Sequence, residues 1–93
     1  MPDRATIRFL TRAGCGICAV ARADLQALLE ERARAGRSPA SVREVDITTE
    51  DDLLRRNLER IPVLVVNGEE LPLAVSVSAM RAFLERTLDG RIV

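Results

Sequence analysis

Cys15 and Cys18 are the only two cysteines of the 93-residue chain, and they stand three positions apart in the stretch "TRAGCGIC". A pair at this spacing can open and close a disulfide, supply half of a metal site, or pack as two small apolar side chains. A zinc site usually takes four ligands, and with no histidine and no further cysteine a complete site within one chain would need carboxylates. An iron–sulfur cluster shared by two copies is a separate reading: each would give one thiolate, and a small thiol would supply the rest. No residue is assigned as a metal ligand. Which of these chemistries applies depends on the elements that hold the cysteines.

Those elements read clearly on either side of the pair. "ATIRFLT", Ala5 to Thr11, is β-branched and aromatic enough for a strand. From Cys15 onward the apolar residues Cys18, Ala21, Leu25, Leu28 and Leu29 recur at helical spacing, with Arg22, Glu30 and Arg34 on the wet side. The helix runs to about Ala35 and is stopped by "GRSP". The pair therefore sits where strand becomes helix. A thiol at the first turn of a helix meets unpaired backbone N–H groups and the positive end of the macrodipole, and both favour thiolate over thiol. Cys15 is expected to be the acidic, nucleophilic sulfur, with Arg12 adding positive potential. Cys18, one turn further in and shielded, is placed to attack a mixed disulfide on Cys15 and release the product.

The remaining elements build a frame around that junction. "SVREVDI", Ser41 to Ile47, alternates as a strand, so the first helix lies in a parallel βαβ unit. Thr48 or Thr49 caps a short helix through about Leu58, with Leu54 and Leu58 as its inward face. Val63 to Val66 is a buried strand, Asn67-Gly68 a hairpin turn, and Glu69 to Leu73 the returning strand. Pro72 puts that return at the edge of the sheet. Met80, Phe83, Leu84 and Leu88 mark a closing amphipathic helix that stops at Gly90. Ser76 or Ser78 caps it.

Composition sets the outer bounds. A chain of this length suits one domain, spanning 1–93, with a modest core. With 47% apolar and 30% charged residues and no run of about 18 apolar positions, a membrane span is not expected. Fourteen basic residues, all arginine, balance fourteen acidic ones, so no net field favours nucleic acid or anionic lipid. Asp3 and Arg4 interrupt the apolar run that a signal peptide requires, and a reducing cytoplasm is the expected location.

Taken together, "LTRAGCGIC", "VREVDI", "RIPVLVVNG" and the closing helix resemble the small glutaredoxin-like proteins of the thioredoxin superfamily over nearly the whole chain. The resemblance implies an α/β thioredoxin/glutaredoxin fold: a four-stranded mixed sheet in the order β-α-β-α-β-β-α, with helices on both faces. It implies a thiol-disulfide oxidoreductase in which Cys15 is the nucleophile and Cys18 the resolving thiol. Pro62 matches the family's cis-proline, although an X-Pro bond read without the resemblance is expected to be trans. Ile61, just before it, is implied to pair with the substrate backbone like an added strand. Arg12, Gly16, Ile17, Ile61 and Pro62 are the implied substrate-binding residues, and Arg56 and Arg60 are further candidates for a substrate carboxylate. The implied substrates are protein disulfides or mixed disulfides of a low-molecular-weight thiol such as glutathione. Electrons would come from a thiol pool or a reductase, with no bound cofactor, and the chain would act as a monomer. Removing glutathione from a mixed disulfide needs only Cys15, so the resemblance also implies activity on small glutathionylated substrates after Cys18→Ser. The chain departs from the family in three places. Gly16 and Ile17 stand where many glutaredoxins have proline and an aromatic, Ala13 replaces a common proline, and "AVSVSAM", Ala74 to Met80, occupies the place of a glycine pair followed by an acidic residue. The alternatives are a non-catalytic iron–sulfur or metal carrier and a redox-sensing interaction module.

Overall fold

A computed structural model describes residues 5–90. Its strands are β1 (Ala5–Thr11), β2 (Ala40–Asp46), β3 (Val63–Val66) and β4 (Glu69–Leu71), and its helices are α1 (Gly16–Arg34), α2 (Asp51–Asn57) and α3 (Val77–Asp89). One mixed sheet has the order β2-β1-β3-β4. β1 runs parallel to β2, from Ala5 opposite Ala40 to Thr11 opposite Asp46, and antiparallel to β3, with Leu10 opposite Val63. β3 and β4 form the hairpin through Asn67-Gly68, both at positive φ as such a turn requires.

The period-two alternation of β1 and β3 divides the core between the two faces of the sheet. Ile7, Phe9, Leu64 and Val66 face α1 and α3, where they pack with Cys18, Ala21, Leu25, Leu28, Met80, Phe83 and Leu84. Leu10 and Val63 face the other way and pack with Ile47, Val45, Leu53 and Leu54 under α2. This is the α/β thioredoxin-like arrangement, with helices on both faces. Ser76 caps α3 by accepting the Ala79 N–H at 3.2 Å, and Gly90 ends it in the left-handed conformation.

The local differences from the sequence reading lie at element ends. β2 begins and ends one residue early, because Asp46 turns the chain: its Oδ1 accepts the Thr48 N–H at 2.9 Å and starts a single 3-10 turn over Ile47–Thr49. Thr48 and Thr49 therefore belong to that turn and do not cap α2, whose N-cap is Glu50 with no side-chain bond. Those two bonds from Thr48, one from its hydroxyl, are also the main reason the Asp46 carboxyl is held below its usual range. On α2 the inward residues are Leu53, Leu54 and Asn57, while Leu58 is exposed. The helix has only two turns, and Asn57 is turned inward by its Nδ2 bond to Leu53 O at 3.1 Å. β4 stops at Leu71, before Pro72, since proline has no N–H to continue the ladder.

Candidate functional site

β1 delivers the chain to the site and α1 begins there. Gly14 makes the turn between them at φ +79°, a conformation that glycine adopts without strain. Cys15 is the N-cap of α1, in extended conformation, and its sulfur accepts the Cys18 N–H at 3.2 Å. It thus occupies the place where a serine or aspartate oxygen commonly satisfies one of the helix's free N–H groups. No acidic residue lies in the first turn to offset the positive helix end. Cys15 and Cys18 are joined as a disulfide, with their Cα atoms 5.2 Å apart. Cys15 is half-buried, whereas Cys18 is 1% exposed and packs with Ala21, Met80 and Phe83. The two sulfurs are therefore unequal in access.

The second wall of the site is the loop that enters β3. The Ile61–Pro62 peptide bond is cis. Pro62 is fully buried, and half-buried Ile61 touches both core clusters. Two hydrogen bonds fasten the 73–75 segment onto this loop: Leu73 N–H to Arg60 O and Ala74 N–H to Pro62 O, both 2.8 Å. Leu10 pairs with Val63, so the proline loop lies at the same end of the sheet as the β1–α1 junction, and Ala74 belongs to the same core cluster as Cys15 and Ile61. The Ile61 N–H is already donated to Asn57 O at 3.2 Å. Among the described residues the Ile61 carbonyl has no backbone partner, so the carbonyl is the group left for an incoming strand.

The other sequence candidates separate. Gly16 and Ile17 open α1, with Ile17 strongly exposed. A Cβ at Gly16 would meet nothing within 4 Å, so it is Gly14 and not Gly16 where the backbone requires glycine. Arg12 is exposed at the exit of β1 and, after the Thr48 bonds, makes a lesser contribution to the lowering of the Asp46 carboxyl. Arg56 and Arg60 share one carboxylate: both donate to Glu70, which Arg60 foremost keeps below the usual carboxylate range. Among the described residues no three histidine, cysteine, aspartate or glutamate side chains gather to hold a metal ion, and no helix is long and apolar enough to cross a membrane. Two buried residues beside the site were not singled out by the sequence reading. Thr11, at the end of β1, has a buried hydroxyl without a partner, and Asn57 supports the proline loop by accepting the N–H groups of Arg60 and Ile61. An asparagine ending a short helix four residues before an X-Pro pair is the signal that could have found Asn57.

Comparison with known proteins places this geometry. A family described as Glutaredoxin-like domain (DUF836) matches residues 6–89. The X-ray structure of a structural-genomics target protein from X. campestris is similar, with 28% identity and a TM-score of 0.65 over 85% of this chain and 95% of that one. A malarial protein shares the fold at 13% identity and a TM-score of 0.65, over 92% of this chain and 99% of its own. No curated protein matches.

Proposed function

Because this chain belongs to the glutaredoxin-like family and carries a Cys-x-x-Cys pair in a thiol redox setting, we propose that it is a thiol-disulfide oxidoreductase with Cys15 as nucleophile and Cys18 as resolving thiol. The observation that carries this reading is the asymmetry of the pair: an accessible sulfur capping a helix, bonded to a buried one a turn further in.

The reaction follows from that asymmetry. In the reduced protein the Cys15 thiolate takes the place its sulfur now holds, where the Cys18 N–H and the helix end stabilise negative charge. The thiolate attacks one sulfur of a substrate disulfide. The substrate S–S bond breaks, a mixed disulfide forms on Cys15, and the first substrate thiolate leaves and takes a proton. Cys18 then loses its proton and attacks the Cys15 sulfur, which closes the disulfide seen here and frees the second substrate thiol. Two electrons pass from dithiol to substrate. A low-molecular-weight thiol such as glutathione, or the dithiol of a reductase, resets the pair by the reverse exchange. Cyclic use of this kind belongs in a reducing compartment such as the cytoplasm.

The test is steady-state reduction of a small disulfide and of a protein disulfide by wild type, Cys15→Ser and Cys18→Ser. Wild type is expected to turn over both. Cys15→Ser should be inactive, and Cys18→Ser should accumulate a covalent adduct with the protein substrate. Activity surviving in Cys15→Ser would overturn the assignment.

A further inference from the structure

Residues 13–21, 61–68 and 71–80, which hold the disulfide, the proline loop with β3 and the strip leading into α3, contain no charged side chain, although 30% of the chain is charged. Of the charges that border them, Arg22 pairs with Glu44, Glu69 with Arg86 and Arg81 with Glu31, Arg60 shares Glu70 with Arg56, and Arg12 is exposed at the exit of β1. What the segments do expose is apolar. Ile17 (62%) and Val20 (62%) stand one turn apart on the outer side of α1, and Leu73 (58%), Val75 (52%) and Val77 (39%) line the strip between the proline loop and α3. Among the described residues, Leu58 is the one large exposed apolar residue outside these segments. Leu73 is also held at φ +49°, a left-handed conformation unfavourable for a branched side chain, by the bond from its N–H to Arg60 O. The fold thus keeps a strained leucine pointing outward beside the proline loop, where a polar residue or glycine would sit more easily.

We propose that this face receives a protein segment whose own disulfide is flanked by apolar, uncharged residues, in preference to glutathione. The inference rests on the oxidoreductase reading above and narrows its substrate class. Glutathione carries two carboxylates and an ammonium, and segments that carry no charge of their own would strip water from those groups without pairing them. An apolar segment is in the opposite position: its side chains cover Ile17, Leu73 and Val75 and gain by leaving water. The Ile61 carbonyl supplies one backbone acceptor to align it. Electrons move as in the two exchanges already described, and no further reactant enters.

The experiment uses the prereduced protein as sole reductant and follows oxidation of its dithiol in single turnover. The probes are a disulfide-bonded peptide with leucine and valine flanks, the same peptide with aspartate and glutamate flanks, glutathione disulfide, and bis(2-hydroxyethyl) disulfide as a small neutral reference. The apolar-flanked peptide is expected to react about tenfold faster than the acidic one and than glutathione disulfide. In Val75→Glu, and in Leu73→Gly, which keeps the left-handed backbone without strain, the ratio of its rate to that of the small reference should fall severalfold to about tenfold. Glutathione disulfide reacting as fast as the apolar peptide would overturn the inference, as would a ratio unmoved in both variants. So would a wild-type dimer that Val75→Glu converts to monomer, since the face would then be covered by a second copy. Failure to react with any of the four disulfides would instead remove the oxidoreductase reading, and this inference with it.

Discussion

Asp89→Asn tests the buried ion pair that ties α1 to α3. Arg32 is 7% exposed and donates from both terminal nitrogens to Asp89, at 3.0 and 2.8 Å, and Arg37 adds a third bond at 2.9 Å. The bonds to Arg32 above all, then those to Arg37, hold the Asp89 carboxyl at about 2, against the usual 3.8. At about 1.36 kcal/mol per pH unit this difference is worth roughly 2 kcal/mol. The sign follows from the direction: the folded carboxyl stays charged below the pH at which the unfolded one protonates. The stabilisation is therefore complete above about pH 5 and is lost as the pH falls from about 3.8 through about 2. Asparagine keeps the shape and one acceptor but never carries the charge. Urea melts at pH 7 should find Asp89→Asn less stable by roughly 2 kcal/mol, a fall in Tm of roughly 8–16 °C for a domain of this size. Near pH 2 the gap should have closed for the most part, because about half of the wild-type carboxyl is then neutral. A gap below about 0.5 kcal/mol at pH 7, or one equally large at pH 7 and pH 2, would refute the reasoning.

In the reduced protein, the alkylation rate of Cys15 should titrate well below the ordinary thiol value of about 8.5, and Cys18 should react slowly throughout; equal rates at the two sulfurs would count against the roles assigned to them. Arg12→Gln should leave the Cys15 titration nearly in place, since the Cys18 N–H and the end of α1 are what meet the sulfur, and a change of a full pH unit would contradict that account. Thr11→Val removes a buried hydroxyl that has no partner, so thermal melts of the oxidised protein should show unchanged or higher stability, by up to about 1 kcal/mol; a clear loss would mean that the hydroxyl is bonded. Gly14→Ala should cost about 1 kcal/mol through its positive φ, whereas Gly16→Ala should be neutral or stabilising, because the space is open and alanine is the better helix residue; the reverse order in denaturant melts would contradict the backbone assignment.

The frame was legible in the sequence because its signals are periodic and local. Ile7, Phe9, Leu64 and Val66 alternate, Cys18 to Leu28 follow helical spacing, and Asn67-Gly68 makes its hairpin whatever surrounds it. The cysteines were legible as a pair at a strand-to-helix junction for the same reason. What escaped depends on contacts distant in sequence or on competition between neighbours. Arg32 has no ion-pair partner within its own helix and meets one only in Asp89, 57 positions later. Arg56 and Arg60 read as free cations until the hairpin returns Glu70 to them. Thr48 and Asp46 each suit a cap, and only the turn geometry decides that Asp46 accepts and Thr48 donates. Asn57 looks like an ordinary end of a short helix, and its inward turn depends on a proline loop that no periodicity reveals.

The features that depart from the glutaredoxin pattern and those that keep it divide along a physical line. The environment of the Cys15 sulfur is made by backbone: an N-cap position, one N–H at 3.2 Å and the end of a 19-residue helix. Gly14 at the turn and an extended Cys15 are enough to produce it, so changes at Ala13, Gly16 and Ile17 leave the thiolate's stabilisation intact. The surface around the sulfur, by contrast, is made by side chains, and there the chain exposes aliphatic residues at Ile17, Leu73 and Val75. Reactivity and specificity therefore have separate origins in this fold. A backbone-built thiolate can stay constant while the surrounding surface changes partner, because the N–H groups that stabilise it do not depend on which residues border the sulfur.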